Sequence, residues 1–141
     1  MTDKYAVIGN PIGFSKSPLI HGMFADVTGQ DMVYTAIEGP LGDQGGGFKA
    51  TVDAFRAAGG LGMNVTAPFK LDAFAYATER SEAAQLAGAA NAMKFEGEHV
   101  LVQNYDGVGL VRDVAHNLET PLKGKRVLML GAGGAARGAL L

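Results

Sequence analysis

The chain has 141 residues, 48% of them apolar and 18% charged, with a formal net charge of −2 and no cysteine. That composition suits a globular domain with a real hydrophobic core, excludes disulfide and thiolate chemistry, and leaves no basic footprint for nucleic acid. No window holds the roughly 18 uninterrupted apolar residues of a membrane span, Met1-Thr2-Asp3-Lys4 leads into no signal-peptide pattern, and His21, His99 and His116 lack metal-ligand spacing.

Tyr5-Ala6-Val7-Ile8 reads as a buried strand, stopped by Gly9-Asn10-Pro11. Ser17-Pro18 has the form of an N-cap with proline at the first helical position. Leu19, Met23, Phe24 and Val27 then make a helical stripe that ends at Gly29. The turn between strand and helix carries two hydroxyls, Ser15 and Ser17. Such a pair can grip a carboxylate by neutral hydrogen bonds; equally, Ser17 can serve as the cap while Ser15 faces solvent.

Met32 to Ile37 is rich in β-formers and predicts a second strand. Gln44-Gly45-Gly46-Gly47 reads as a flexible surface turn. Phe48, Val52 and Phe55 share one face of a helix over 48–58, closed by Gly59-Gly60. Gly62 to Thr66 is a third strand, after which Ala67-Pro68 turns the backbone. Asn64-Val65-Thr66-Ala67-Pro68-Phe69-Lys70 therefore stands at a strand's end, where open α/β sheets bind ligands. A lysine presented there can pass protons; the plain alternative is a solvated surface charge.

Two short helices follow over 69–76 and 81–86, the second capped by Ser81, then a hairpin of 90–95 and 100–103 around Gly97-Glu98. Asn91, after a run of small residues, can contact a polyol. Asp106 either caps the amphipathic helix predicted over 106–118, with Val108, Val111 and Ala115 on one face, or faces Lys70 across a cleft. The two roles are compatible. Pro121 to Lys125 is a polar connector into a strand at Arg126-Val127-Leu128-Met129-Leu130.

That strand runs into Gly131-Ala132-Gly133-Gly134-Ala135-Ala136, a glycine turn opening a helix, which is the setting of a dinucleotide-binding motif. Its glycines let backbone N–H groups approach a pyrophosphate. The alternation of strands and helices predicts an α/β fold: an open, mostly parallel sheet flanked by helices, followed by the first β-α piece of a Rossmann domain.

Five ordered motifs resemble the shikimate dehydrogenase family. They are Gly9-Asn10-Pro11 with Ser15-Lys16-Ser17-Pro18, then Asn64 to Lys70, Gly88-Ala89-Ala90-Asn91-Ala92, Asn104-Tyr105-Asp106-Gly107, and Gly131 to Arg137. The resemblance implies reversible reduction of 3-dehydroshikimate to shikimate with NADPH, in the cytoplasm, on a small-molecule substrate and without a metal. It implies Ser15 and Ser17 as ligands of the substrate carboxylate, and Asn64, Thr66, Asn91 and Asp106 as ligands of ring hydroxyls and carbonyl. Lys70 would be the acid/base, paired with Asp106, and Gly131, Ala132, Gly133, Gly134 and Ala135 would hold the cofactor. Tyr105 departs from the pattern, standing where the family commonly has threonine.

The resemblance also implies more chain than is present: a whole cofactor domain and a C-terminal segment. The expectation is a substrate-binding catalytic domain over 1–120 and a truncated start of a dinucleotide-binding domain over 121–141. The same scaffold serves quinate/shikimate dehydrogenases, and a binding domain without redox chemistry is a third reading.

Overall fold

The computed structural model describes residues 2–42 and 47–140. The turn expected at Gln44-Gly45-Gly46-Gly47 lies, apart from Gly47, outside the described residues. Six strands form one sheet in the order β2-β1-β3-β5-β6-β4. They are β1 (Asp3–Gly9), β2 (Met32–Glu38), β3 (Gly60–Val65), β4 (Glu79–Arg80), β5 (Ala92–Glu96) and β6 (His99–Gln103). β1 pairs in parallel with β2 and β3, and β4 with β6, while β5 runs antiparallel to both its neighbours. The expected open, largely parallel α/β sheet is present, with β4 as an edge strand too short to announce itself in the sequence.

Strand alternation explains the core. In β1, Ala6 and Ile8 point to one face, where they meet Met63 and Val65 of β3. That face is covered by α2 (Gly47–Ala57), α3 (Lys70–Tyr76) and α4 (Glu82–Ala87), through Phe48, Val52, Ala73 and Ala84. Gly60 begins β3 because a Cβ there would run into the Phe55 ring, so only glycine lets α2 seat so closely. Ser81 caps α4 as expected, its hydroxyl accepting from the Ala84 N–H at 3.2 Å. Ser81→Ala should lower stability by about 1 kcal/mol, read as a shift in the urea midpoint. An unmoved midpoint would deny the cap any contribution.

The other face of the sheet is thinly covered. α1 (Ser17–Thr28) lies over β2 and β1, with Pro18 and His21 half-buried and Ala25 buried. The stripe expected to organise this helix, Leu19, Met23, Phe24 and Val27, is instead exposed. It sits on the side of the helix away from the sheet, so its period marks the helix without marking the face that is covered. Beside α1 the open face leaves a cavity of about 610 Å³ bordered by Tyr5, Tyr34, Gly62 and Asn64.

Two caps differ from expectation. The residue before α1 is Lys16, without a side-chain cap, and Ser17 is already helical. Asp106 is likewise the first residue of α5 (Asp106–Arg112) rather than its cap. Its N–H is instead taken by Asn104 Oδ1 at 3.0 Å. The helix predicted through Leu118 ends at Arg112 and continues as a π-helical turn, Asp113–Asn117. Finally, residues 126–130 form no strand. Val127, Leu128 and Leu130 are exposed, because a strand exists only by pairing and no neighbouring strand reaches them. The helix of the expected β-α piece is present as α6 (Gly134–Ala139).

Candidate functional site

Parallel pairing brings the carboxyl ends of β1 and β3 together, and two antiparallel steps through β5 return β6 in the same sense. The segments after β1, β3 and β6, and Asn91 just before β5, therefore share one edge of the sheet. Backbone bonds bind this edge: Asn10 N–H donates to Ala67 O at 3.0 Å, and Thr66 N–H to Ile8 O at 2.9 Å.

Lys70 opens α3 and Asp106 opens α5, 36 residues apart in the chain. Lys70 Nζ donates to Asp106 Oδ2 at 2.6 Å. The lysine side chain is 15% exposed and the carboxylate 25%, so the pair is shielded yet reachable. Asn91 Nδ2 donates to the other oxygen, Asp106 Oδ1, at 2.8 Å, while Asn91 Oδ1 accepts from Tyr105 N–H at 3.0 Å. Both carboxylate oxygens are thus held by donors, which fixes the carboxylate and aims the lysine.

Beneath them lies Asn104, the buried polar residue of this region. Its Nδ2 donates to Ala89 O at 3.0 Å and its Oδ1 accepts from Asp106 N–H. The motif around Asp106 gave Asn104 no role of its own, although an Asn two residues before a helical start is an Asx-turn signal.

Ser15, Ser17 and Thr66 line a second cavity of about 220 Å³, together with Asn10 and Phe14. Ser15 Oγ accepts from Ser17 N–H at 3.3 Å, which holds the two hydroxyl-bearing residues on one turn. Both prolines of this edge, Pro11 and Pro68, follow cis peptide bonds. Asn64 sits between the two groups. Its Oδ1 accepts from the Tyr34 hydroxyl at 2.5 Å, and its Nδ2 faces Asn91 O at 3.5 Å. The residues singled out in the sequence therefore gather into one hydrogen-bonded unit, Lys70–Asp106–Asn91 with Asn64 beside it, and one cavity wall. Tyr105, half-exposed, joins through its backbone N–H.

The glycine turn lies against this unit. A Cβ on Gly134 would be 3.4 Å from Ala89 Cβ and 3.5 Å from Lys70 Cβ, so the turn borders the lysine's stem. Gly138 comes closer still: a Cβ there would lie 2.7 Å from Asn104 Oδ1. Only a glycine lets α6 rest on the asparagine that holds Asp106. On the open side, Gly131 adopts φ +127°, and nothing lies within 4 Å of a Cβ at Gly131 or Gly133. That uncluttered backbone is what a pyrophosphate needs in order to approach. Among the described residues no three His, Asp or Glu side chains cluster to hold a metal ion, and no helix is long and apolar enough to cross a membrane.

Residues 7–93 match the family model described as shikimate dehydrogenase substrate binding domain. A relative from Aromatoleum aromaticum, named shikimate dehydrogenase (NADP(+)), is 54% identical over 139 residues, which is 99% of this chain and 48% of that one. The crystal structure of an enzyme from Pseudomonas putida superposes with a TM-score of 0.88 at 59% identity, covering 99% of this chain and 50% of that one. A Thermus thermophilus shikimate 5-dehydrogenase, solved in complex with shikimate, gives 0.83 at 30% identity, covering 99% and 52%. The chain spans about half the length of the curated relatives it matches. On the family match across most of its length, the chain belongs to the shikimate dehydrogenase substrate binding domain family.

Proposed function

We propose that this chain is the substrate-binding and catalytic part of an NADP-dependent shikimate dehydrogenase, which interconverts 3-dehydroshikimate and shikimate in the cytoplasm. In this reading residues 1–120 form the substrate domain and 121–141 begin the cofactor domain. The observation that carries it is the Lys70–Asp106–Asn91 unit, set at the carboxyl edge of the sheet beside the Gly134 turn.

Each role follows from chemistry at that edge. Ser15 and Ser17 offer hydroxyls to the substrate carboxylate, in a cavity shared with Thr66. Asn64, Thr66, Asn91 and Asp106 present donors and acceptors to the ring oxygens. Gly131, Ala132, Gly133, Gly134 and Ala135 would hold the pyrophosphate of NADP, whose nicotinamide supplies the hydride when bound. Hydride arrival at a carbonyl carbon puts negative charge on its oxygen. Lys70 stabilises that oxygen by donating a proton to it, and Asp106 keeps the ammonium aimed. The substrate and cofactor classes of this proposal are those for which the relatives are named.

Calorimetric titration of the chain with shikimate tests it. Saturable binding is expected, and Ser15→Ala should weaken it by roughly 1.5–3 kcal/mol, the value of one hydrogen bond to a charged group. A folded chain that binds no shikimate, or a Ser15→Ala variant that binds equally well, would reject the assignment of this edge as the substrate site.

A further inference from the structure

Tyr34 belongs to none of the motifs at the carboxyl edge, yet its side chain ends there. It stands in β2 opposite Tyr5 of β1, and β1 in turn separates it from β3. Its side chain therefore crosses a whole strand to reach Asn64, where the hydroxyl donates to Oδ1 at 2.5 Å. The tyrosine ring is stacked on the His21 imidazole, with centroids 4.0 Å apart and planes inclined by 13°. His21 is anchored in turn, since its Nδ1 lies 2.9 Å from Ser17 O. A carbonyl oxygen only accepts, so that bond places the proton on Nδ1. The same logic orients Asn64. Its amide atom facing the carbonyl oxygen of Asn91 must be the nitrogen, which leaves Oδ1 for Tyr34.

We infer that Tyr34 is a positioning residue: it locks the Asn64 amide in one orientation and ties it, through His21, to the turn that carries Ser17. The inference rests on the reading of Asn64 and Ser17 as substrate ligands. It adds a specificity element to that reading. With Oδ1 engaged by the phenol and one N–H turned to Asn91 O, the amide's remaining hydrogen is left for a ligand. Asn64 then selects an acceptor, a hydroxyl or carbonyl oxygen, at that point of the ring. An unlocked amide would flip and accept a donor equally well. Burial pushes the Tyr34 phenol up to about 12, so it stays a donor throughout the neutral range. The stacked imidazole holds the ring in place, so the orientation is set before a ligand arrives.

The test is a double-mutant cycle on shikimate affinity, measured by calorimetry on this chain. Tyr34→Phe keeps the ring and its stacking and removes only the hydroxyl. It should weaken binding about 3- to 10-fold in the wild-type background. In the Asn64→Ala background it should change affinity by less than about 2-fold, because the tyrosine acts only through that amide. No effect in the wild-type background, or equal effects in both, would overturn the inference while leaving the functional reading standing. A wild-type chain that binds no shikimate overturns both. A second measurement holds even if Tyr34→Phe fails to fold. In the free wild-type protein the Asn64 side-chain amide, identified as the NH₂ signal missing from Asn64→Ala, should be as rigid as the backbone by ¹⁵N relaxation. A mobile amide there would overturn the locking.

Discussion

Lys70→Ala is expected to lower turnover at least about 100-fold, the ordinary worth of a positioned proton donor, in the chain completed with the second half of a relative such as that of A. aromaticum. The expectation follows from the arrangement around the ammonium. Nζ rests 2.6 Å from a carboxylate whose second oxygen is itself held by Asn91. Alanine removes the only cation of the unit, and neither Asp106 nor Asn91 can replace it as a proton donor at the developing alkoxide. In the proposed role Lys70 acts on charge that appears only during the reaction, so KM for shikimate should change far less than kcat.

Lys70→Arg separates two explanations. A guanidinium keeps a positive charge but does not release its proton in the working range. If Lys70 transfers the proton, arginine should be nearly as damaging as alanine. If the residue supplies only a field, arginine should recover a large part of the rate. An unchanged turnover number in Lys70→Ala would remove the lysine from the reaction altogether.

The second large effect concerns stability. Ile8→Ala should cost about 2–5 kcal/mol, the range for removing a large aliphatic side chain from a packed core. Ile8 is fully buried in β1, with β2 on one side and β3 on the other, and belongs to the cluster that contains Phe48, Val52 and Phe69. Equilibrium unfolding in urea would measure it. Leu128→Ala is the natural contrast: Leu128 is 83% exposed and should matter by no more than about 0.5 kcal/mol. A loss below about 1 kcal/mol for Ile8→Ala would mean the helices do not pack on this strand as described.

These two residues also mark how much the sequence conveys. The stretch Tyr5-Ala6-Val7-Ile8 declared a buried strand by its unbroken apolar run, and Gly9-Asn10-Pro11 declared its end. Residues at strand ends were legible as candidates because α/β sheets present ligand groups there. That is why the segments carrying Ser15 and Ser17, Asn64 to Lys70, and Asp106 came forward, whereas Asn91 stood out only after a run of small residues and the roles of the single ligands came from the family resemblance. The fold class and the strand-end segments follow from period and punctuation, which are local properties.

What failed or went unseen depended on partners distant in the chain. The stripe of α1 has helical spacing whether or not anything covers it, and here it faces away from the sheet. Residues 126–130 have a strand's composition, but a strand needs a neighbour to hydrogen-bond, and none reaches them. Of the two roles open to Asp106 in the sequence, the cap fails and the pairing with Lys70 stands: its carboxylate goes to Lys70 and Asn91, and Asn104 takes the N–H. Tyr34 gave no sign at all, since nothing within β2 records that its hydroxyl crosses β1 to Asn64.

The sequence alone determined the α/β class, the existence of most of its elements and which segments stand at the ends of strands. Only the tertiary structure decided which of those side chains touch, which face of α1 is covered, and which way the Asn64 amide points. The physical reason is that propensity and periodicity act over a few residues, whereas hydrogen-bond pairing, burial and side-chain orientation are settled between segments tens of residues apart.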